Sequence, residues 1–253
     1  MAEKVAQAGV LDLAAPLSPV ERYYFGAEFC PWLFPEVAQI EQALALARQA
    51  QRPLTLLTPV LSEFFFPRFE EALAAIAPQL MPQDEIVLSD WGALATLKKL
   101  APQATLVLGR VLSGQKRGPR ILDLALSDFD RDYFQQGSVY SREMVALLQE
   151  VGIVRVELDN LLQGVAPLPE GLVGTLHLPY AMVSSSRNCP YREGLGDRGC
   201  PKECGAPFTL ESDETAIPLL QRGNTQFLEN CSLPDGLAEK RIDRVVRHSV
   251  LPL

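Results

Sequence analysis

Histidine is almost missing from this chain: 253 residues carry two, His177 and His248. A metal site built mainly of imidazoles is thereby set aside. No run approaches the ~20 apolar residues that a bilayer-spanning helix needs. The opening MAEKVAQAGVLDLAAP also lacks the continuous apolar core of a signal peptide. These two absences point to a cytoplasmic protein. Positive charge is short as well. Lys and Arg number 23 against 31 Asp and Glu, a net charge of −8. That balance argues against general nucleic-acid binding through a basic face, although a local RNA contact stays open.

Two common chemistries lack their motifs. Gly194-Leu195-Gly196 has neither the strand-to-helix setting nor the Lys-Ser/Thr ending of a phosphate-cradling loop. Ser184-Ser185-Ser186 has no nucleophile elbow and no suitably placed His–acid partner, which sets aside a serine hydrolase. Cysteine is limited to five residues, an odd number that suits disulfide pairing poorly. In a reducing compartment, clustered cysteines serve metals or catalysis more often than structural disulfides.

Three of those five fall in one stretch, Ser184 to Cys204, with the spacing Cys189-x10-Cys200-x3-Cys204. The residues between them are rich in Arg, Gly and Pro and carry no hydrophobic period, so the stretch reads as an irregular loop. Gly and Pro permit turns that let a loop wrap thiolates around a metal. Cys30 and Cys231 each follow a strand-like run and can reach the same place through folding. A zinc ribbon needs two close pairs, whereas here one C-x3-C pair accompanies dispersed single cysteines. The pattern therefore favours an iron–sulfur cluster over zinc, with no metal as the remaining alternative. Arg187, Arg192 and Arg198 either balance thiolate charge or form a solvated face.

Along the chain, apolar strands and amphipathic helices alternate. Residues 1–20 read as a loose N-terminal arm, and 21–253 as one domain carrying the cysteine loop 184–204. Strands are expected at ERYYFGAEFC, 54–61, 85–92, 104–110, 154–159, 174–180, 208–211, 225–230 and 242–246. Helices are expected at 36–51, 67–77, 93–100 and 141–150, where the apolar residues recur at helical spacing. Pro35 stands at the start of the first, where its missing N–H costs nothing. Residues 113–140 read as a long polar insertion, a candidate mobile segment or site cover. The fold class is α/β, a TIM-barrel-like (β/α) barrel, and about seven or eight of these strands for the barrel leave room for a distorted or incomplete one.

In such folds functional groups gather at the carboxyl ends of strands. Cys30, Asp90, Arg110, Asp159 and Cys189 lie at or just after such ends. Asp90 in SDWG and Glu157 in VRVELDN are candidates to face a substrate, with Arg110 beside them; turn capping is the structural alternative for the two acids. His177, within TLHLPY, reads as a hydrogen-bonded core histidine.

The residues just described resemble the collagenase-like U-thirty-two peptidase family and, within it, the UbiV-like branch. The likeness rests on YYFGAEFC, SDWG, LHLPYAMVSSSRNC and GCPKEC, short matches spread from about Tyr23 to Val246. It implies a barrel-like fold and a [4Fe-4S] cluster held by Cys30, Cys189, Cys200 and Cys204. Further, it implies oxygen-independent hydroxylation in ubiquinone biosynthesis, on a quinone precursor, as a heterodimer with a homologous UbiU-like subunit. Relatives include RNA-hydroxylating proteins and others called peptidases, though no protease constellation is visible; a non-catalytic, metal-stabilised scaffold is a further alternative. The spacing from Cys189 to Cys200 is shorter than the UbiV pattern, and Cys231 in FLENCSLPDGL looks like the last ligand of the UbiU pattern. Whether Cys30 or Cys231 completes the set is left open.

Overall fold

The barrel is closed by the residues that the sequence reading assigned to a loose arm. A computed structural model describes residues 5–187, 189–192 and 200–252; Gly194-Leu195-Gly196 and Arg198 lie outside them. Strand β1 (Ala6–Val10) pairs in parallel with β2 (Arg22–Gly26) on one side and with β12 (Ile242–Arg247) on the other. From β2 the wall continues through β3 (Leu54–Leu57), β4 (Glu85–Leu88) and β5 (Thr105–Leu108). It then passes through β6 (Arg155–Asp159) and β7 (Val173–Leu178) back to β12. Every pairing in this eight-stranded ring is parallel. The arrangement is a complete α/β barrel of the TIM type.

Helices cover the outside. α1 (Val37–Gln49) buries Ile40, Ala43, Leu44 and Ala47, and α2 (Phe66–Ile76) buries Phe69, Ala72, Leu73 and Ile76. Each of those large side chains contributes roughly 1.5–3 kcal/mol on leaving water. Glu36, not Pro35, caps the start of α1: its N–H donates to Gln39 Oε1 at 3.0 Å, half of a capping box. α3 (Leu94–Leu100) and α5 (Arg142–Glu150) complete the layer. On α5, Leu148 is buried while its neighbour Leu147 is exposed. The insertion 113–140 contains a further short helix, α4 (Asp128–Phe134), and several 3-10 turns.

Strand alternation sorts the wall into two faces. Leu56, Ile86, Leu108, Val156 and Leu176 join the helices in the main core. Ala8, Tyr24, Leu57, Val87, Val107 and Val246, one from each of six strands, form a separate inner cluster. The two remaining strands, β6 and β7, place Glu157 and His177 inside instead, both fully buried.

A second, antiparallel sheet stands apart from the ring. It runs β8 (Tyr180–Ser185), β11 (Thr225–Glu229), β10 (Thr215–Arg222) and β9 (Phe208–Ser212). The expected strands at 208–211 and 225–230 thus belong here and not to the barrel, while β8 and β10 had no counterpart in the sequence reading. Phe227 and Met182 of this sheet pack against Phe29 at the barrel mouth, with the Phe29 and Phe227 rings 5.5 Å apart.

Candidate metal centre

The cysteine loop leaves from β8 and returns at β9, the two edges of the small sheet. Its two ends are therefore fixed by the small sheet. Ser186 N–H donates to Asn224 O at 3.0 Å, and Asn224 Nδ2 donates to Phe29 O at 2.9 Å. Asn224 thereby ties the loop to the segment that carries Cys30. Gly205, at φ 64, allows the chain to turn close to Tyr191; an added Cβ would approach that ring to 2.9 Å.

Cys30 lies just beyond the carboxyl end of β2 and caps the 3-10 turn Pro31–Leu33. The backbone N–H groups of Trp32 and Leu33 face its sulfur. The preceding residues are anchored from below. Glu28 and Arg110, both with no solvent exposure, form a two-point ion pair, and Arg110 Nη1 also donates to Asp159 Oδ1 at 3.0 Å. The Arg110 guanidinium sits 5.3 Å from the centre of the Phe29 ring. Arg117 donates to the other Asp159 oxygen at 2.7 Å.

Cys30, Cys189, Cys200 and Cys204 line a single cavity of about 480 Å³. All four are free thiols and half-buried. Burial pushes the Cys30 thiol up; the two N–H groups pull the other way, and Cys200 and Cys204 push up again. Cys204 is raised by burial and by Cys200 and Cys189. Four thiols in one hollow, which could ionise only against one another's charge, form a donor set that gains from an added cation or cationic cluster. Trp32 and Arg192 share the lining, with the guanidinium 5.3 Å from the ring centre. Arg187 also lines it, and donates to Leu61 O at 3.4 Å. Among the described residues, no three Cys, His, Asp or Glu side chains come together as a single-ion site. Cys231 is exposed and does not line the cavity; its sulfur is 3.7 Å from Glu229 Oε1.

The acidic and basic candidates are divided by the structure. Asp90 uses both oxygens on backbone, accepting from Gly92 N–H at 2.8 Å and Leu61 N–H at 3.0 Å. It caps the turn after β4 and fixes Leu61, a wall residue of the cysteine cavity. Arg110 is committed to Glu28 and Asp159. Glu157 lies within the barrel and not at a strand end, accepting Tyr24 O–H at 3.0 Å on Oε1 and meeting His177 Nε2 at 2.5 Å on Oε2. His177 is the hydrogen-bonded core histidine expected, and its second nitrogen meets His248 Nε2 at 2.8 Å. The sequence reading gave no role to His248, Tyr24 or Glu28; the last carries a signal in retrospect, an acid in an otherwise apolar strand-to-turn segment two residues from Cys30.

No helix among the described residues is long and apolar enough to cross a membrane. No family model matches the chain, and no curated protein or solved structure matches it significantly.

Proposed function

We propose that the chain is an iron–sulfur protein of oxygen-independent hydroxylation, with Cys30, Cys189, Cys200 and Cys204 holding a [4Fe-4S] cluster. One observation carries the reading: Cys30 and three thiols of a distant loop line one cavity at the barrel's carboxyl mouth. Sulfurs around a lone zinc must all lie about 2.3 Å from one point. A [4Fe-4S] cluster takes one thiolate per iron, four in all, the number of cysteines that line this hollow. When bound, the cluster supplies one-electron chemistry or a site for an oxygen donor.

The chain's own residues hold and shield that centre. Glu28, clamped by Arg110, sets the position of Cys30, and the Trp32 and Leu33 N–H groups orient its sulfur. Trp32, Phe29 and Val60 keep water from the cavity's inner side. Arg187 and Arg192 bring positive charge to its rim. The substrate in this reading is a quinone precursor and the partner a homologous subunit of a heterodimer, both drawn from the family resemblance.

Anaerobic purification followed by iron, sulfide and zinc assays and a visible spectrum tests the reading. The expected result is a brown protein with about four irons per chain, the number four thiolates serve. A colourless protein that takes up only zinc, or no metal after anaerobic reconstitution, would overturn it.

A further inference from the structure

A second cavity, of about 400 Å³, opens at the same barrel mouth. Val10, Gly26 and Leu57 reach it from the ends of β1, β2 and β3, and His248 from just beyond β12. That volume is in the range of small-molecule sites, which are mostly apolar with a few placed polar groups. Leu33 lines both this cavity and the cysteine cavity, so the two share a wall. The apolar lining includes Leu11, Leu13, Phe25 and Val250, and His248 is the imidazole among them.

The hydrogen bonds behind His248 determine what its ring can offer. Arg244 Nη1 donates to the Tyr24 oxygen at 3.0 Å, so the phenol turns its own hydrogen to Glu157 Oε1. Burial first, and then Glu157, keep Tyr24 protonated by pushing its pKa far up. The second Glu157 oxygen accepts from His177, which fixes the hydrogen of that ring on Nε2. In a neutral His177 ring, Nδ1 is then a bare lone pair and takes its hydrogen bond from His248 Nε2–H. His248 is neutral, because burial, aided by His177 and Arg110, holds its pKa well below the ordinary value. Its only ring hydrogen is therefore spent on His177, and Nδ1 is left as an acceptor. Among the described residues that nitrogen makes no hydrogen bond.

We propose that the second cavity binds a small, largely apolar molecule through a hydroxyl group that donates its hydrogen to His248 Nδ1. A proton taken there is matched along the chain. As Nδ1 gains it, Nε2–H passes to His177 Nδ1, and His177 Nε2–H passes to Glu157 Oε2. The ligand is left as the oxyanion and Glu157 as the neutral acid. The inference does not depend on what the cysteines hold.

Two measurements on the purified full chain test it. With only two histidines present, long-range proton–nitrogen NMR of labelled imidazoles assigns all four ring nitrogens. Both rings are expected as Nε2–H tautomers with bare Nδ1 at neutral pH; an imidazolium or an Nδ1–H tautomer in either ring overturns the inference. In Glu157→Gln the amide oxygen stays with Tyr24 O–H and the NH2 faces His177, so both tautomers are expected to flip. Calorimetric titration then compares 4-methylphenol with its methyl ether, which has the same apolar body and no donor. The phenol is expected to bind the native chain about tenfold more tightly, the size of one hydrogen bond. That preference is expected to vanish in His248→Phe and to disappear or reverse in Glu157→Gln. Equal affinities in the native chain, no binding of either probe, or a preference that survives in both variants would overturn it.

Discussion

Replacing Arg110 by Met tests how the barrel mouth is held. Arg110 is fully buried and is the cation shared by Glu28 and Asp159. Met keeps much of the stem but leaves Glu28 buried without a cation, whereas Asp159 retains Arg117. Breaking a buried pair by removing one partner costs about 3–5 kcal/mol. For a domain of this size, 1 kcal/mol shifts Tm by about 2–4 °C, so the expected loss is roughly 6–20 °C. Adding Glu28→Gln removes the stranded charge. The double variant should therefore be more stable than the sum of the single losses implies, by about 0.5–3 kcal/mol. Urea unfolding followed by circular dichroism measures all four species. A loss below about 1 kcal/mol in Arg110→Met, or strict additivity, would refute the reasoning, since either means the charges are not coupled. The acid limb gives a second readout. Burial would raise Asp159, but Arg117 and Arg110 outweigh it and the folded pKa is depressed. Its stabilisation is thus present above the unfolded carboxylate value of about 3.9 and is lost as pH falls through the folded value. With Arg110 gone the depression shrinks, so less stabilisation is lost in acid and the loss should be complete at a higher pH.

Further outcomes follow from single sites. Cys200→Ala or Cys204→Ala should abolish cluster loading after anaerobic reconstitution while Cys231→Ala keeps it, as iron and sulfide assays would show; full iron in both loop variants would undo the ligand assignment. Gly26→Ala should cost well over the roughly 1–3 kcal/mol of backbone strain alone, because at φ 132 its Cβ would stand 2.3 Å from Leu57 O. Gly118→Ala, at φ 139 with nothing within 4 Å, should cost only the strain; equal losses in denaturant would contradict the close-approach argument. Ser141→Ala removes the cap that accepts from Met144 N–H at 3.2 Å and should cost about 1 kcal/mol by the same measurement.

The elements legible in the sequence were those with a local signature. The helix over Val37–Gln49 announces itself through Ile40, Leu44 and Ala47, and strands such as Glu85–Leu88 through short apolar runs bounded by turns. β1 was illegible because AQAGV carries no aromatic and only one β-branched residue, and its buried inward residue is Ala8. Its strand character comes from β2 and β12, far off in sequence. The second sheet was hidden for a related reason: β9 is mostly exposed and β10 mostly half-buried, so apolar patterning says little about where they sit. At the site, the Cys189, Cys200, Cys204 grouping could be read directly. That Cys30, and not Cys231, joins it depends on where β2 ends relative to the small sheet. The Tyr24–Glu157–His177–His248 chain links strands up to 133 residues apart in a single bond, and nothing in the neighbourhood of any one of them foretells it.

Closing the ring through β1 and β12 has a consequence for how the chain comes together. Ala6 must find Arg244, so a strand made early waits for one made much later before its open edge is covered. Loop closure over such a separation is slow. Until then β1 and β7 each present an unpaired parallel edge, a template for wrong partners. A nascent chain lacking Ile242–Arg247 would keep both the β1 and β7 edges bare and would place no His248 behind His177. Barrel closure and completion of the inner hydrogen-bonded chain are thus one event, and both await the same late strand.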